Sequence, residues 1–275
     1  MARELTPQEM LRSFRIEARL GAGGQAVTWR ATDTRDGRAV VVKQLALSRA
    51  ENWKEIDLFR RECAVLATLV HPAIPAFIDA FEETTDAGDS ELFLVQELVP
   101  APSLATLMRD GRRWTKDELV DLARRLLAIV GWLHAKNPPV VHRDIKPSNI
   151  LRHADGRLAL IDFTAVQIRL QSGSDGGSTV VGTHGFMAPE QLLGRALPAS
   201  DLYAIGMTLV HLASGHHPGD LPLDGLRVDF RSVVRLDAPL VTWLERLTSP
   251  DPNARPASAE AALGELDRAL AAPRP

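Results

Sequence analysis

The feature of this sequence that most constrains its fold is a change in hydrophobic periodicity close to residue 100. Before that point, short β-branched runs alternate with turn signals, which is typical of strands, and only segment 51–70 has apolar residues at steps of three and four. After Pro100-Ala101-Pro102, the apolar residues follow long helical patterns. The sequence therefore predicts an α+β fold, with a small β-rich lobe containing one helix, a proline-marked connector and a larger, mostly helical lobe.

The β-rich part contains four strand candidates and one amphipathic helix. Asp36-Gly37 is a hairpin signal between two of the strand candidates. Glu62 lies beside the apolar face of the predicted helix. The strand candidates are 14–20, 26–31, 38–45 and 92–99, and the helical face consists of Ile56, Phe59, Cys63, Leu66 and Val70.

The second part of the chain contains three strong helix signals. Thr115 and Glu118 have the spacing of a capping box, in which each side chain accepts a hydrogen bond from the backbone N–H of the other residue. A long helix is therefore expected to begin at this point and to run to about residue 133. Two further apolar helices are predicted over about 200–213 and 258–270.

Composition and charge argue against several classes of function. The formal charge of −3 over 275 residues is too small to suggest a protein that binds nucleic acid or a membrane surface. Cys63 is the single cysteine, so no disulfide can form within the chain, and we interpret it as a core thiol. Residues 1–10 lack the apolar core of a signal peptide, and stretches such as 202–213 are shorter than the roughly 20 residues of a membrane span. We expect a soluble, cytoplasmic protein, whose oligomeric state the sequence leaves open.

Two features of the β-rich part are suited to a phosphate ligand. Gly21 and Gly23 lie between two strand candidates, where glycine lets backbone N–H groups approach phosphate oxygens closely. A dinucleotide-binding fold is disfavoured, because a strand follows these glycines where that motif needs a helix. Lys43 ends a β-branched run, and a lysine on a central strand needs a charged partner, for which Glu62 is the candidate. Each feature alone is also compatible with a plain turn or a surface charge.

The run from His142 to Asn149 is more specific, because it brings an acid, a base and an amide together within eight positions. Asp144 is suited to accept a proton, and Lys146 is suited to hold an anionic phosphate. Asn149 supplies a hard oxygen ligand for Mg²⁺, and Asp162, after the strand-like run 157–161, supplies a second. Metal-held phosphates, a positioned hydroxyl and nearby cations are what phosphoryl transfer requires.

With the Gly-rich loop, the strand lysine, this catalytic run, Asp162-Phe163 and Ala188-Pro189-Glu190 in order, the chain resembles bacterial Ser/Thr protein kinases of the eukaryotic-like type over essentially its whole length. The resemblance implies a single two-lobed protein-kinase domain over residues 1–275. Its N-lobe, with an antiparallel sheet and one helix, would cover about 10–98, its hinge about 97–103 and its mostly helical C-lobe about 104–270.

The resemblance also implies a reaction and a set of roles. The expected function is transfer of the γ-phosphate of ATP to Ser or Thr hydroxyls of proteins, the chain itself included, with Mg²⁺ or Mn²⁺ as the metal and an unknown protein as the substrate. The implied catalytic residues are Asp144, Lys146, Lys43 and Glu62; the nucleotide-binding residues are Gly21, Gly23, Thr28, Val41, Lys43, Gln96, Glu97, Val99 and Leu151; and the metal ligands are Asn149 and Asp162.

Further positions are given structural or regulatory roles by the same resemblance. Glu190 would pair with Arg255, and Asp201 would anchor the catalytic loop. Thr183 would contact the substrate or Asp144. The candidate phosphorylation sites are Ser172, Ser174, Ser178 and Thr179.

Four positions depart from the family pattern, all of them around the nucleotide. They are Ala26, Thr28, Val41 and Thr164. They leave every charged participant in place, which favours an active kinase. They also leave open a pseudokinase that binds nucleotide and signals through partners, and an enzyme that transfers phosphate or nucleotide to a different acceptor.

Overall fold

The computed structural model describes residues 5–22, 26–46, 53–84, 90–163, 167–168 and 183–271. The chain forms two compact units, Met1–Pro100 and Ala101–Pro275. Their boundary falls inside Pro100-Ala101-Pro102, where the sequence predicts a connector.

The first unit contains a six-stranded antiparallel sheet with one helix inserted between its fourth and fifth strands. The strand order across the sheet is β1-β2-β3-β4-β6-β5, so the fourth strand in the chain pairs with the sixth. The elements are β1 (Met10–Leu11), β2 (Phe14–Ala22), β3 (Val27–Asp33), β4 (Ala39–Ala46), α1 (Trp53–Leu66), β5 (Phe77–Thr84) and β6 (Ser90–Glu97).

The sheet is strongly curved, so that side chains from β1 and β2 at one end pack in the same core as side chains from β5 at the other. Phe14 on β2 and Phe81 on the edge strand β5 stack with their ring centroids 6.2 Å apart, and Phe93 on β6 lies 5.2 Å from Phe81. The guanidinium of Arg12 covers the Phe81 ring at 3.9 Å and shields its edge from water. Other members of this buried core are Leu5, Leu11, Ile16, Trp29, Ala31, Val40, Val42 and Val95.

Two details of the first unit differ from the sequence-based expectations. The predicted helix ends at Leu66, and Val70, which we expected on its apolar face, is 88% exposed. Beyond Leu66 the backbone continues in turns and no longer as α-helix, because the Thr68 and Leu69 N–H groups donate to carbonyls three residues back, at 2.9 and 3.1 Å. β5 was not predicted from the sequence. Phe81 is its one buried side chain, so this edge strand lacks the alternation of apolar and polar residues by which a strand is recognised.

The described part of the second unit is mostly helical and contains three two-stranded ladders. β7 pairs with β10, β8 with β9, and β11 with β12. The helices are α2 (Leu104–Arg109), α3 (Lys116–His134), α4 (Pro189–Leu192), α5 (Pro198–Ser214), α6 (Ala238–Leu247) and α7 (Ala259–Ala271). The strands are β7 (Val140–Val141), β8 (Ile150–Arg152), β9 (Leu158–Leu160), β10 (Gln167–Ile168), β11 (Leu223–Asp224) and β12 (Arg227–Val228).

The three helices expected in this unit are confirmed as α3, α5 and α7. The capping box at the start of α3 is present, with Thr115 Oγ1 accepting from the Glu118 N–H at 3.2 Å and Glu118 Oε2 accepting from the Thr115 N–H at 3.0 Å. α5 is buried around its whole circumference from Ser200 to Val210, which makes it the centre of the unit. Within the described ranges, no helix combines the length and apolarity needed to cross a bilayer.

Close packing of α5 against the end of α6 predicts opposite effects for two helical glycines. A Cβ on Gly206 would lie 2.6 Å from Thr248 Cγ2, whereas on Gly264 it would meet only Arg268 Nη1, at 3.7 Å. We expect Gly206→Ala to lower the free energy of unfolding by about 1–3 kcal/mol through overpacking. Gly264→Ala should raise it by up to about 1 kcal/mol, through helix propensity. Urea unfolding of both variants tests this, and equal effects would contradict the packing described.

Candidate functional site

In the first unit, Lys43 on β4 and Glu62 on α1 form a buried ion pair. The Lys43 ammonium lies 3.1 Å from Glu62 Oε1 and 3.0 Å from Oε2. The side chains are 15% and 1% exposed. Because an uncompensated charge at this depth would be strongly unfavourable, the pair fixes the lysine ammonium against the helix. Glu62 is therefore the partner of Lys43, as the sequence predicts.

Strand register aligns several of the predicted nucleotide-binding residues in this unit. Gly21 on β2 lies opposite Thr28 on β3, and Thr28 lies opposite Lys43 on β4, so the three form one row across the sheet. Val41 lies opposite Gln96 on the neighbouring strand β6. Among the described residues, a Cβ on Gly21 would meet nothing within 4 Å.

The end of β6 leaves one backbone donor without a partner among the described residues. The Glu97 N–H donates to Ala76 at 2.9 Å, and the Leu98 N–H donates to Ala39 at 3.3 Å. The Val99 N–H has no acceptor in the described part of the chain. This is the type of group that can bind the edge of a flat heterocycle.

In the second unit, three side chains hold the carboxylate of Asp144. Lys146 Nζ donates to Asp144 Oδ2 at 2.7 Å, and Asn149 Nδ2 donates to the same oxygen at 3.0 Å. Thr183 Oγ1 donates to Asp144 Oδ1 at 2.8 Å, which confirms the contact expected for that threonine. With three donors on its two oxygens, the carboxylate is held in one orientation.

Asn149 and Asp162 are placed side by side by the β8–β9 ladder. The Ile161 N–H donates to the Asn149 carbonyl at 2.9 Å, and Asp162 follows Ile161 directly. The Asn149 amide nitrogen donates both to the Asp144 carbonyl and to its carboxylate, so Oδ1 is the atom turned away to accept. Asp162 has a left-handed backbone, with φ of 64°, which is unusual for a residue other than glycine.

The donor set fits a Mg²⁺ ion that shares its shell with phosphate. No group of three or more His, Cys, Asp or Glu side chains in the described ranges could hold a metal by itself. Mg²⁺ in phosphotransfer sites usually takes one or two protein oxygens and completes its octahedron with phosphate oxygens and water. The carboxylate of Asp162 and the amide oxygen of Asn149 match that requirement.

A buried aspartate on α5 holds the loop that carries Asp144. Asp201 accepts the backbone N–H of His142 at 2.9 Å and that of Arg143 at 2.8 Å, as well as the ring of His134 at 2.9 Å. Arg143 has φ of 72°, a strained conformation that these bonds stabilise. The expected role of Asp201 as an anchor of this loop is thus confirmed.

His142 supports the same loop as a neutral ring. Burial lowers the pKa of His142 despite the carboxylates of Asp201 and Asp144 nearby. Its Nε2 donates to the Ile161 carbonyl at 3.2 Å, and its Nδ1 accepts from the Asp144 N–H at 3.3 Å. The ring also lies 4.7 Å from the fully buried Phe163. The imidazole therefore connects the loop to the segment that carries Asp162.

Glu190 and Arg255 form the predicted ion pair, with bidentate geometry. Arg255 Nη1 donates to Glu190 Oε1 at 2.6 Å, and Nη2 donates to Oε2 at 2.8 Å. Ser200 Oγ adds a third bond to Glu190, at 2.6 Å. Burial alone would raise the pKa of Glu190, but the hydrogen bonds from Arg255 and Ser200 outweigh it, and the net shift is downward.

Some predictions fall outside the described residues, and one contact was not anticipated. Gln191 Nε2 donates to the Arg143 carbonyl at 3.0 Å, which links α4 to the catalytic loop across 48 positions of sequence. No local pattern signals such a contact. The predicted residues outside the described ranges are Gly23, Thr164, Ser172, Ser174, Ser178 and Thr179.

Cys63 is a partly buried thiol with a depressed acidity. Burial, followed by the nearby Glu62 carboxylate, raises the pKa of Cys63 to about 12. A thiol in this environment is protonated at neutral pH and is a poor nucleophile. The interpretation of Cys63 as a packing residue is consistent with this environment.

The comparisons with known proteins agree with this combination of fold and site. The family model for the protein kinase domain matches residues 14–262. Serine/threonine-protein kinase D of Synechocystis sp. is 34% identical over 270 residues, which cover 92% of this chain and 51% of that protein. Serine/threonine-protein kinase PknA of Nostoc sp. is 32% identical over 260 residues, covering 88% and 44%. PknA of Mycobacterium tuberculosis is 32% identical over 206 residues, covering 74% and 47%.

The chain belongs to the protein kinase family, and the relatives named above are bacterial Ser/Thr kinases. The antiparallel sheet of the first unit and the helices of the second are those of the two-lobed kinase fold. The chain spans about half the length of the curated relatives it matches.

The Glu190–Arg255 pair yields a stability prediction with a defined pH dependence. We expect Arg255→Met to lower the free energy of unfolding by about 3 kcal/mol at pH 7, because it leaves Glu190 charged, buried and without its main donor. Since the folded pKa of Glu190 lies below the ordinary 4.5, its contribution is fully present above that value and is lost as the pH falls through the folded pKa. The difference in free energy of unfolding between the wild type and Arg255→Met should therefore become smaller at acidic pH.

Urea unfolding at pH 7 and pH 4 measures both effects. Arg246→Met is the matched control, because Arg246 is 56% exposed and pairs with Glu265 at 3.3 Å. An exposed pair of this kind contributes less than about 1 kcal/mol. Equal losses of unfolding free energy in the two variants would show that burial does not determine how much the Glu190–Arg255 pair contributes to stability.

Proposed function

We propose that this chain is an active Ser/Thr protein kinase that transfers the γ-phosphate of ATP to hydroxyl groups of proteins. The observation that carries the proposal is the carboxylate of Asp144, held between Lys146, Asn149 and Thr183 at 2.7–3.0 Å. A carboxylate oriented by flanking donors can position a hydroxyl group and accept its proton. Family membership and the names of the relatives support the same reaction.

In this mechanism, Asp144 accepts the proton of the substrate hydroxyl as its oxygen forms a bond to the γ-phosphorus. The bond from that phosphorus to the β,γ-bridging oxygen breaks, and ADP leaves with the electron pair. Lys146, 2.7 Å from the carboxylate, contributes a positive charge near the developing negative charge of the phosphoryl group. Asp201 contributes indirectly, by fixing the loop backbone.

The nucleotide-binding roles follow the order given by the resemblance. Lys43, paired with Glu62, holds the α- and β-phosphates, and the row from Gly21 to Thr28 covers them. The Val99 N–H and the Glu97 backbone bind adenine, beside Gln96 and Val41, and Leu151 forms the floor of the adenine site. Gly23 is assigned a phosphate contact on the family pattern alone.

Asn149 and Asp162 would hold the metal. They would supply its protein oxygen ligands, and a divalent cation held there would supply neutralisation of the phosphate charge. We propose Mg²⁺, with Mn²⁺ as a substitute, because both prefer oxygen ligands. The amide of Asn149 would thus have two functions, since its nitrogen orients Asp144 and its oxygen, which also accepts from Ser148 Oγ at 3.3 Å, would be a ligand of the cation.

The wider setting is also part of the proposal. We propose a single domain over residues 1–275 that acts in the cytoplasm on a protein substrate, and on itself, with no role in nucleic-acid binding. The pseudokinase alternative is not favoured, because Lys43, Glu62, Asp144, Asn149 and Asp162 are all present and the relatives bear the names of kinases.

Phosphate transfer tests the proposal directly. We expect the purified chain to move labelled phosphate from Mg-ATP onto a generic Ser/Thr substrate, and Asp144→Asn to reduce the rate by at least about 100-fold. Asp155→Asn is the matched control, because Asp155 is a 54% exposed carboxylate on the β8–β9 turn and should leave the rate unchanged. ATP affinity of each protein is measured in parallel by calorimetry.

The outcomes separate the alternatives. Wild-type protein that binds ATP but transfers no phosphate would refute the proposal in favour of a nucleotide-binding pseudokinase. Transfer that survives in Asp144→Asn would establish a phosphotransferase but remove Asp144 as its base.

A further inference from the structure

A cluster of arginines surrounds Trp114 in the second unit, and none of its members has a role in the reaction proposed above. Trp114 precedes α3, and the guanidinium carbon of Arg112 lies 4.7 Å from the centroid of its ring. The guanidinium carbon of Arg152, on β8, lies 5.6 Å from the same ring. Two cations therefore share one aromatic ring, an arrangement that adds repulsion between the cations to the attraction of each for the ring.

The charges of this cluster do not balance. Arg112 Nη2 donates to Glu118 at 2.6 Å, and Arg125 Nε donates to Asp121 at 2.7 Å. Arg152 has no carboxylate partner and no side-chain hydrogen bond within the described ranges. With three guanidinium groups against two carboxylates, the cluster retains one positive charge, at Arg152.

Hydrogen-bond donors are in surplus in the same place. Arg112 Nε, Arg152 Nε and Trp114 Nε1 are each buried and have no acceptor in the described part of the chain. Buried donors of this kind normally have partners. Three such donors on three neighbouring side chains make this part of the surface suited to a group that carries several acceptors.

Gly156, on the β8–β9 turn, leaves space where two of the arginines converge. An atom at the position of its missing Cβ would lie 3.9 Å from Arg152 Nη2, from Arg125 Nη2 and from Asp121 Oδ2, the carboxylate oxygen that pairs with Arg125. The backbone of Gly156 has φ of 85°, so glycine is also the residue that this turn requires. The rim of the cluster is accessible, because the side chains of Arg112 and Glu118 keep 34% and 29% of their surface exposed, whereas the three donor atoms themselves are buried.

The chemical group that suits this cluster follows from the charge and from the number of donors. Water would satisfy single donors but would leave the charge of Arg152 uncompensated. A carboxylate would compensate the charge but presents two oxygens to donors on three side chains. A phosphate monoester presents three oxygens and fits a planar guanidinium in bidentate fashion.

We propose that the cluster of Arg112, Trp114 and Arg152 binds a phosphate monoester carried on a Ser or Thr side chain of a phosphorylated protein, with Arg152 as its principal ligand. A group on a protein side chain suits the accessible rim of the cluster. The proposal goes beyond catalysis, since it concerns recognition of protein that is already phosphorylated. It rests on the second unit alone and does not require that the chain transfer phosphate.

The indole N–H of Trp114 provides a local measurement. The chain has five tryptophans, so ¹⁵N-labelled protein gives at most five indole signals, and Trp114→Phe identifies the relevant one. We expect a short phosphoserine peptide, at constant ionic strength, to shift that signal downfield in a saturable manner. Arg152→Gln should weaken this binding by about tenfold or more, the effect of losing a charge-assisted hydrogen bond.

Arg157→Gln is the matched control, because it removes the same charge at a position five residues from Arg152. The Arg157 side chain is 67% exposed and is paired with Asp155. It should bind the peptide as the wild type does. Arg152→Lys, which keeps the charge, should bind with intermediate affinity, and it replaces Arg152→Gln if that variant does not fold.

Several results would overturn the proposal. They are the absence of a saturable shift, an equal response in Arg152→Gln and Arg157→Gln, or equal binding of a peptide with glutamate in place of phosphoserine. Inorganic phosphate that binds as tightly as the phosphopeptide would overturn the assignment to a protein-borne group. Phosphopeptide binding by a chain that lacks kinase activity would still support the proposal.

Discussion

The second unit depends on one buried carboxylate, that of Asp201 on the fully enclosed helix α5. An unpaired carboxylate at this position would be prohibitively costly, so the backbone N–H groups of His142 and Arg143 must stay within its reach. That requirement maintains the left-handed conformation of Arg143 and sets the direction in which Asp144 leaves the loop. The position of the Asp144 carboxylate is thus determined by a side chain 57 positions later in the sequence, on a helix that is buried around its whole circumference.

The first unit arranges its functional side chains in a different way, through the register of its sheet. Because neighbouring strands of an antiparallel sheet place opposed residues side by side, the pairing of β2, β3 and β4 brings Gly21, Thr28 and Lys43 into one row. A slip by one residue would turn Lys43 to the other face of the sheet and away from Glu62. The buried core of Phe14, Phe81 and Phe93 opposes such a slip, since these rings would move into water.

The sequence was informative where the signal was local. The capping box at Thr115, the periodicity of α5 and the compact run around Asp144 each lie within a few residues, and each prediction agrees with the structure. Edge strand β5 and the true end of α1 were missed, because tertiary packing decides them. The contacts of Thr183 and Glu190 were expected from the family pattern, whereas those of Gln191 and Arg152 were not. A side chain's partner 40 or more positions away is set by the fold and leaves no trace in local spacing.

Three of the four departures from the family pattern lie within the described residues, and all three are in the first unit. Thr28 and Val41 project from the sheet of the first unit, in the rows that contain Lys43 and Gln96, and Ala26 precedes β3. Every donor to Asp144, by contrast, comes from the second unit. In the proposed mechanism, bulk or polarity added to the sheet therefore acts on the groups assigned to the nucleotide, whereas the described donors to Asp144 keep their positions. On that proposal, departures of this kind alter how tightly a nucleotide is held and leave the orientation of Asp144 unchanged.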